Sequence, residues 1–261
     1  MSIENKTGVV VFLDALGVSN YERIDQFRHF TEELEILKSE SEYVWNKWKK
    51  DFEKDGVILL DPELAFFQDS LIICFPEPEK DVDSTLHNFF AAQNWVMQFI
   101  VQAIGRHIYF RGAMAHGKFI FSESERSIAV LGKPVIDAYK FEKSGNWVGV
   151  IQTPDFQKKY LEVLARHAKS CNEPVEETIR SYNRFFVRYD VPLKEEEKEE
   201  DRTFSCFVVN WPTLVKTTEQ KDAILIALAS GMEQVDSHNL LKYVHTVNFF
   251  KYCENHQFFL E

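Results

Sequence analysis

Residues 9–13, Val9-Val10-Val11-Phe12-Leu13, form an unbroken apolar run that stops at Asp14 and is followed by Ala15, Leu16, Gly17, Val18 and Ser19. A run of β-branched and large apolar residues without polar alternation predicts a strand covered on both faces, at the centre of a sheet. Residues 20–54 are charged, with Phe27, Phe30, Leu34, Ile36, Leu37, Val44, Trp45 and Trp48 at near-helical spacing, which predicts two helices or one broken helix packed on that sheet. Asp55-Gly56 turns the chain, and residues 57–60 begin an extended segment broken by Asp61-Pro62. Leu64-Ala65-Phe66-Phe67 and Ser70-Leu71-Ile72-Ile73-Cys74-Phe75 then predict a hairpin with Gln68-Asp69 at its tip, ended by Pro76-Glu77-Pro78.

The pattern continues with an amphipathic helix over 81–104, closed by Gly105. Residues 107–117 predict a strand with 118–121 as its partner, and Pro134 and Gly145 bound another helix. Residues 147–151 form a further apolar strand. The succession strand, helix, hairpin, helix, strand, helix, strand predicts a ferredoxin-like α+β fold, an antiparallel sheet with helices packed on it. Beyond Pro154, helices are expected at 156–168 and 174–184, a solvated charged loop at 194–201, and a strand at 204–211 that returns to the sheet. Helices at 223–232 and 240–252 would cover it. Without a repeat or flexible linker, residues 1–261 read as a single domain, with a core of about 8–152 and a C-terminal elaboration of about 153–261.

Composition narrows the function. An apolar fraction of 45% supports a substantial core, and a net charge of -11 with pI near 5.3 argues against nucleic acid or anionic membrane as partners. The four cysteines are scattered without a CxxC, which points to a reducing cytoplasm and away from a role as metal ligands. Residues 1–7 are polar and the apolar run behind them meets Asp14 too early for a signal core or membrane span, so the chain is expected to be soluble and cytoplasmic.

The candidate chemistry lies in the acids. Asp14 ends a core strand, where a carboxylate must pair, accept hydrogen bonds, hold a cation, or cap the helix expected near Tyr21. Asp69 stands at the hairpin tip, where turn chemistry alone also favours Asp. Neither has a Lys or Arg beside it in sequence. Two such acids, brought together, suit Mg²⁺ or Mn²⁺ and phosphate chemistry. The eight histidines show no HExxH, and His116 reads as a satisfied core residue.

These residues carry a resemblance. Phe12-Leu13-Asp14-Ala15-Leu16-Gly17-Val18-Ser19 resembles the first metal motif of class III nucleotidyl cyclases, and Phe67-Gln68-Asp69-Ser70 their second. Arg111-Gly112-Ala113-Met114-Ala115-His116-Gly117 is similar to the family strand that begins with Arg and closes on Gly. The segment from Leu131 to Glu142 resembles the helix carrying the family's Asn and Arg. The resemblance implies that Asp14, Asp69 and the Ala15 carbonyl hold two Mg²⁺ or Mn²⁺ ions per site. It implies that Gly17, Val18 and Ser19 open a helix and meet the phosphates, and that Lys140, at the Arg position, stabilises transition-state charge. Asp137, three residues earlier, can pair with Lys140 along the helix.

Ile136 stands at the family's Asn position and Gln68 at a glycine position. Ala65 and Ala129 occupy the two positions that read adenine in adenylyl cyclases, and Phe67 follows Ala65 on the same strand face. Ala65, Phe67, Ala129 and Asp137 therefore define the expected base pocket, shortened and closed by an aromatic ring. That pattern resembles the bacterial pyrimidine cyclases of anti-phage signalling, which implies UTP, favoured over CTP, as substrate. It also implies a homodimer with composite sites and a product that activates a separate cyclic-nucleotide effector protein. An adenylate or guanylate cyclase of the same family, or an inactive cyclase-like domain that only binds nucleotide or a partner, are the alternatives. Polymerase-palm and GGDEF enzymes place two acids side by side in the hairpin, whereas Ser70 follows Asp69.

Overall fold

The computed structural model describes residues 4–18, 21–78, 82–124, 127–194, 203–233, 235 and 237–256. Its first six elements are β1 (Asn5–Ala15), α1 (Ile24–Lys54), β2 (Glu63–Phe67), β3 (Ser70–Pro76), α2 (Val82–Gly105) and β4 (Phe110–Ser124). The four strands lie in the order β2-β3-β1-β4, all antiparallel to their neighbours, which is the ferredoxin-like arrangement. β5 (Ser127–Gly132) folds back on β4, α3 (Lys133–Ser144) crosses over, and β6 (Gly149–Gln152) pairs parallel to β4. The remainder comprises α4 (Pro154–Cys171), α5 (Val175–Tyr182), β7 (Phe186–Pro192), β8 (Thr203–Val209), α6 (Thr218–Glu233) and α7 (Ser237–Asn255). β8 pairs with β6 and β7 with β8, so the C-terminal third extends the same sheet. The fold is α+β with an antiparallel-rich sheet, as the periodicity predicts.

β1 is central because both its faces are covered: Val9, Val10, Val11 and Leu13 are all fully buried. One face packs on α1 and α2, where Phe75 sits 5.4 Å from Trp45 and 5.8 Å from Trp95 between ring centroids. The other face carries α3, anchored by an edge-on contact of Phe12 with Tyr139 at 5.3 Å. Alternation along β1 puts Phe12 and Asp14 on the same face, so Asp14 faces the α3 side.

Several elements differ from expectation. α1 is one unbroken 31-residue helix, because no Pro or Gly interrupts it and Phe30, Leu34, Leu37, Ser41 and Trp45 bury a single stripe. Its N-terminus is closed by Gln26, whose Oε1 accepts the Arg23 N–H at 3.0 Å while its own N–H donates to the Arg23 carbonyl at 3.1 Å, so Asp14 does not cap it. The strand expected to end at Gly117 runs straight on to Ser124, and its hairpin partner is β5, because no turn falls between residues 117 and 118. β7 was hidden in sequence between a helix and the charge run, and only its pairing with β8 marks it as a strand. Most of that run, 195–201, lies outside the described residues. Among the described residues, no helix is long and apolar enough to cross a membrane.

Candidate active site

The register of the sheet gathers the acids at one end. Asp14 on β1 lies opposite Ser70 on β3 and, on its other side, opposite Arg111 on β4, while Ser70 lies opposite Phe67 on β2. Phe67, Ser70, Asp14 and Arg111 thus form one row across four strands, on the face that carries α3. Asp69 completes the corner, its carbonyl accepting the Ala15 N–H at 2.8 Å. The two acids are therefore neighbours along the sheet end although they stand 55 positions apart in the chain.

Asp14 is not free. Arg111 donates from Nη2 to Asp14 Oδ2 at 2.9 Å, and Ser70 Oγ lies 3.5 Å from Asp14 Oδ1. A second nitrogen of the same guanidinium, Nε, forms an ion pair with Glu142 of α3. Glu142 is 2% exposed, and burial raises its pKa above the ordinary carboxylate value, an effect opposed by Arg111 and reinforced by Asp14. One arginine thus bridges a partly exposed and a buried carboxylate. No side-chain partner of Asp69 is found among the described residues. Asp14 has no Lys or Arg beside it in sequence, but it has one in space: the cation comes from position 111, which no local sequence window shows, and its grip on Asp14 counts against a free metal-binding carboxylate.

The strand pairing that makes this row depends on Gly112. A Cβ there would overlap the Phe12 carbonyl and stand 2.5 Å from Leu13 Cδ2, so β4 approaches β1 more closely than a side chain permits. Gln68, at the tip, holds φ at +56°, a left-handed conformation that favours glycine. This explains physically why a glycine suits that position in the motif.

The remaining expected residues lie as follows. Gly17 turns the chain with φ at +87°, and the buried Val18 pins the loop, whose Leu16 N–H donates to the Tyr109 carbonyl at 2.7 Å. The Tyr21 N–H donates to the Val18 carbonyl at 3.0 Å, and α1 begins at Ile24. Ser19 lies outside the described residues. Ala65 is fully buried beside Ile72, whereas Phe67 is 44% exposed at the rim of the edge strand. The two share a face but not an environment.

The structure does not bring Ala129, Asp137 or Lys140 to this corner within one chain. Ala129 is exposed on β5 opposite Ser122, roughly 35 Å of strand from Arg111. Asp137 pairs with Lys133, one turn earlier, and not with Lys140. Lys140 is exposed, and at 100° per residue it points away from the face that presents Glu142 two residues later. A concavity of about 870 Å³, lined by Lys6, Thr7, Glu77 and Lys159 among others, lies at the opposite end of β1 and takes no part in the acid site.

Sequence analysis missed Ser70 and Glu142, and gave Arg111 no role. A signal existed for Glu142: Pro134, Ala138 and Glu142 recur every four residues as the buried stripe of α3. As to metals, the donor set consists of two carboxylates and backbone carbonyls, and no cluster of three His, Cys, Asp or Glu occurs among the described residues. That set fits Mg²⁺ or Mn²⁺ held jointly with phosphate oxygens, and does not form a closed all-protein cage.

The class defined by fold and site is an α+β ferredoxin-like domain with an acid pair at one sheet end. No protein-family model matches the chain, and no curated protein does. Among solved structures, the chain is similar to the catalytic core of a rhodopsin-guanylyl cyclase with converted specificity in complex with ATPalphaS. That match has 14% identity, a TM-score of 0.45, and coverage of 80% of this chain and 98% of that one. It is also similar to the non-canonical dimeric guanylyl cyclase domain of the RhoGC fusion protein from the aquatic fungus Blastocladiella emersonii (13%, 0.45, 79% and 96%). A third similar structure is the guanylyl cyclase Cya2 (13%, 0.43, 80% and 93%). These neighbours are class III nucleotidyl cyclase domains, alike in outline, and the functional reading below rests on the site.

Proposed function

We propose that this protein is a nucleotidyl cyclase that converts a pyrimidine nucleoside triphosphate, UTP in preference to CTP, into its 3′,5′-cyclic monophosphate and pyrophosphate. The observation that carries the reading is the convergence of Asp14 and Asp69 at the end of β1, beside the backbone of Ala15. These three would hold Mg²⁺ or Mn²⁺. Bound there, such ions lower the pKa of the ribose 3′-hydroxyl and neutralise triphosphate charge.

The chain's own residues supply the rest. Gly17 and Val18 follow the strand end where the phosphates would lie, and Arg111 adds a guanidinium at the same end of the sheet. In-line attack of the 3′-oxygen on the α-phosphorus forms the new ester bond as the bond to pyrophosphate breaks. Lys140 and Ala129 point away from their own chain's acids, which supports a composite homodimer in which a second copy contributes them. Ala65 is fully buried and out of reach of a base, whereas the exposed Phe67 offers a ring face and a methyl at Ala129 offers no hydrogen bond to an adenine edge, which favours a smaller base. In this reading the product is a second messenger in bacterial anti-phage signalling, acting on a separate effector protein.

A second reading is a cyclase-like domain that binds nucleotide without turnover. The engagement of Asp14 by Arg111, with Ile136 and Lys140 at the Asn and Arg positions, favours it. The test is to incubate the purified protein with each of the four nucleoside triphosphates and Mn²⁺ and to identify the product by chromatography. Cyclic UMP or cyclic CMP is the expected product. Exclusive turnover of ATP or GTP overturns the base argument, and nucleotide binding without any product supports the second reading.

A further inference from the structure

We infer that Arg111, held in place by Glu142, is a lock on the cation site that keeps divalent-cation affinity low when no nucleotide is bound. The inference rests on the cyclase reading and adds to it a positioning residue, Glu142, and a control on metal loading.

A guanidinium carries its charge over three nitrogens, and here two of them face different carboxylates: Nη2 donates to Asp14 at 2.9 Å and Nε forms an ion pair with Glu142. The two carboxylates are not equivalent. Glu142 is 2% exposed and fixed on the buried stripe of α3, so separation from its cation would leave a buried charge unpaired. The Asp14 side chain retains 21% exposure and can be rehydrated. The Glu142 contact is therefore the permanent attachment, and the Asp14 contact is the one that can open. While it is closed, a cation at Asp14 must displace a guanidinium already in place, which lowers its apparent affinity.

A lysine cannot do this. It is a single point charge on a flexible stem, and it would stay with the buried Glu142, leaving Asp14 free at unchanged net charge. This separates a lock from a simple charge effect. The experiment measures Mn²⁺ binding to the full chain, without nucleotide, from the electron paramagnetic resonance signal of free Mn²⁺. Arg111→Lys is expected to bind Mn²⁺ about tenfold more tightly than the unmodified protein, within the usual range of coupled affinities. The double substitution Arg111→Met with Glu142→Met removes the buried charges together, so that the fold is kept, and it should show a similar gain. Adding Asp14→Asn to that double variant should abolish the gain.

If neither Arg111→Lys nor the double variant binds Mn²⁺ more tightly, or if the gain survives loss of the Asp14 charge, the lock is overturned. Turnover by the unmodified protein tests the cyclase reading separately. A cyclase whose variants show no gain refutes the lock alone, and a gain at Asp14 without turnover refutes the enzyme while keeping the lock.

Discussion

Arg111 and Asp14, 97 residues apart in sequence, face each other across the β1 and β4 pairing with 2.9 Å between Nη2 and Oδ2. The contact converts a strand-end acid into one member of a charge relay that reaches the buried Glu142. Both ends of that relay yield predictions.

At the exposed end, Asp14→Asn leaves Arg111 its partner Glu142, and Asp69→Asn removes a charge with no side-chain partner among the described residues. Both variants should remain folded by circular dichroism. Under the cyclase reading, each should lower kcat with Mn²⁺ by at least about 100-fold, since several kcal/mol of charge stabilisation depend on the ions they hold.

At the buried end, Glu142→Ala strands the inner edge of Arg111. Breaking a buried ion pair by removing one partner costs about 3–5 kcal/mol, so the urea midpoint should fall steeply. Glu142→Met combined with Arg111→Met should recover most of that loss, because no unpaired charge remains.

Gln68 holds a left-handed backbone at the hairpin tip without being glycine. Gln68→Gly should raise stability by about 1 kcal/mol, the strain relieved being partly offset by the freer unfolded chain. Equilibrium denaturation reads this directly, and an unchanged or lower midpoint counts against strain at this turn.

Gly112→Ala tests the close pairing of β1 and β4. The added methyl would overlap the Phe12 backbone and the Leu13 side chain. Overpacking of this kind costs about 1–3 kcal/mol, and backbone overlap places this site at the upper end. A variant as stable as the parent would mean that the two strands can separate without cost.

Tyr109 anchors α6 to the sheet end, donating to the Ala227 carbonyl at 2.5 Å, and burial pushes its phenol up to about 12 from the ordinary 10.0. Because the folded value lies above the unfolded one, its contribution is complete below the unfolded value and is lost as pH rises through the folded one. Tyr109→Phe should therefore be less stable near neutrality, by about 1 kcal/mol for the lost hydrogen bond, and the gap should close in alkali. Thermal unfolding across that alkaline range checks the sign.

Much of this was legible from local pattern. The runs 9–13 and 71–75 could only be buried strands, and Pro134 with Gly145 bounded α3 to within a residue. The broken helix expected over 20–54 failed because charged residues at every turn obscured a continuous stripe. β7 went unseen because it mixes Arg188 and Asp190 into a short apolar run and depends on β8 for its hydrogen bonds.

By itself the sequence determined which segments become strands and helices, and that two acids end apolar strands. Those properties follow from periodicities of 2 and 3.6 residues and from where Gly and Pro forbid continuation. Only the tertiary structure decided that Arg111 grips Asp14, that Glu142 and not Lys140 faces the site, and that Asp137 turns to Lys133. An ion pair between distant residues is set by strand register and by the rotation of a helix about its axis. Shifting either by one residue would send every side chain to another face.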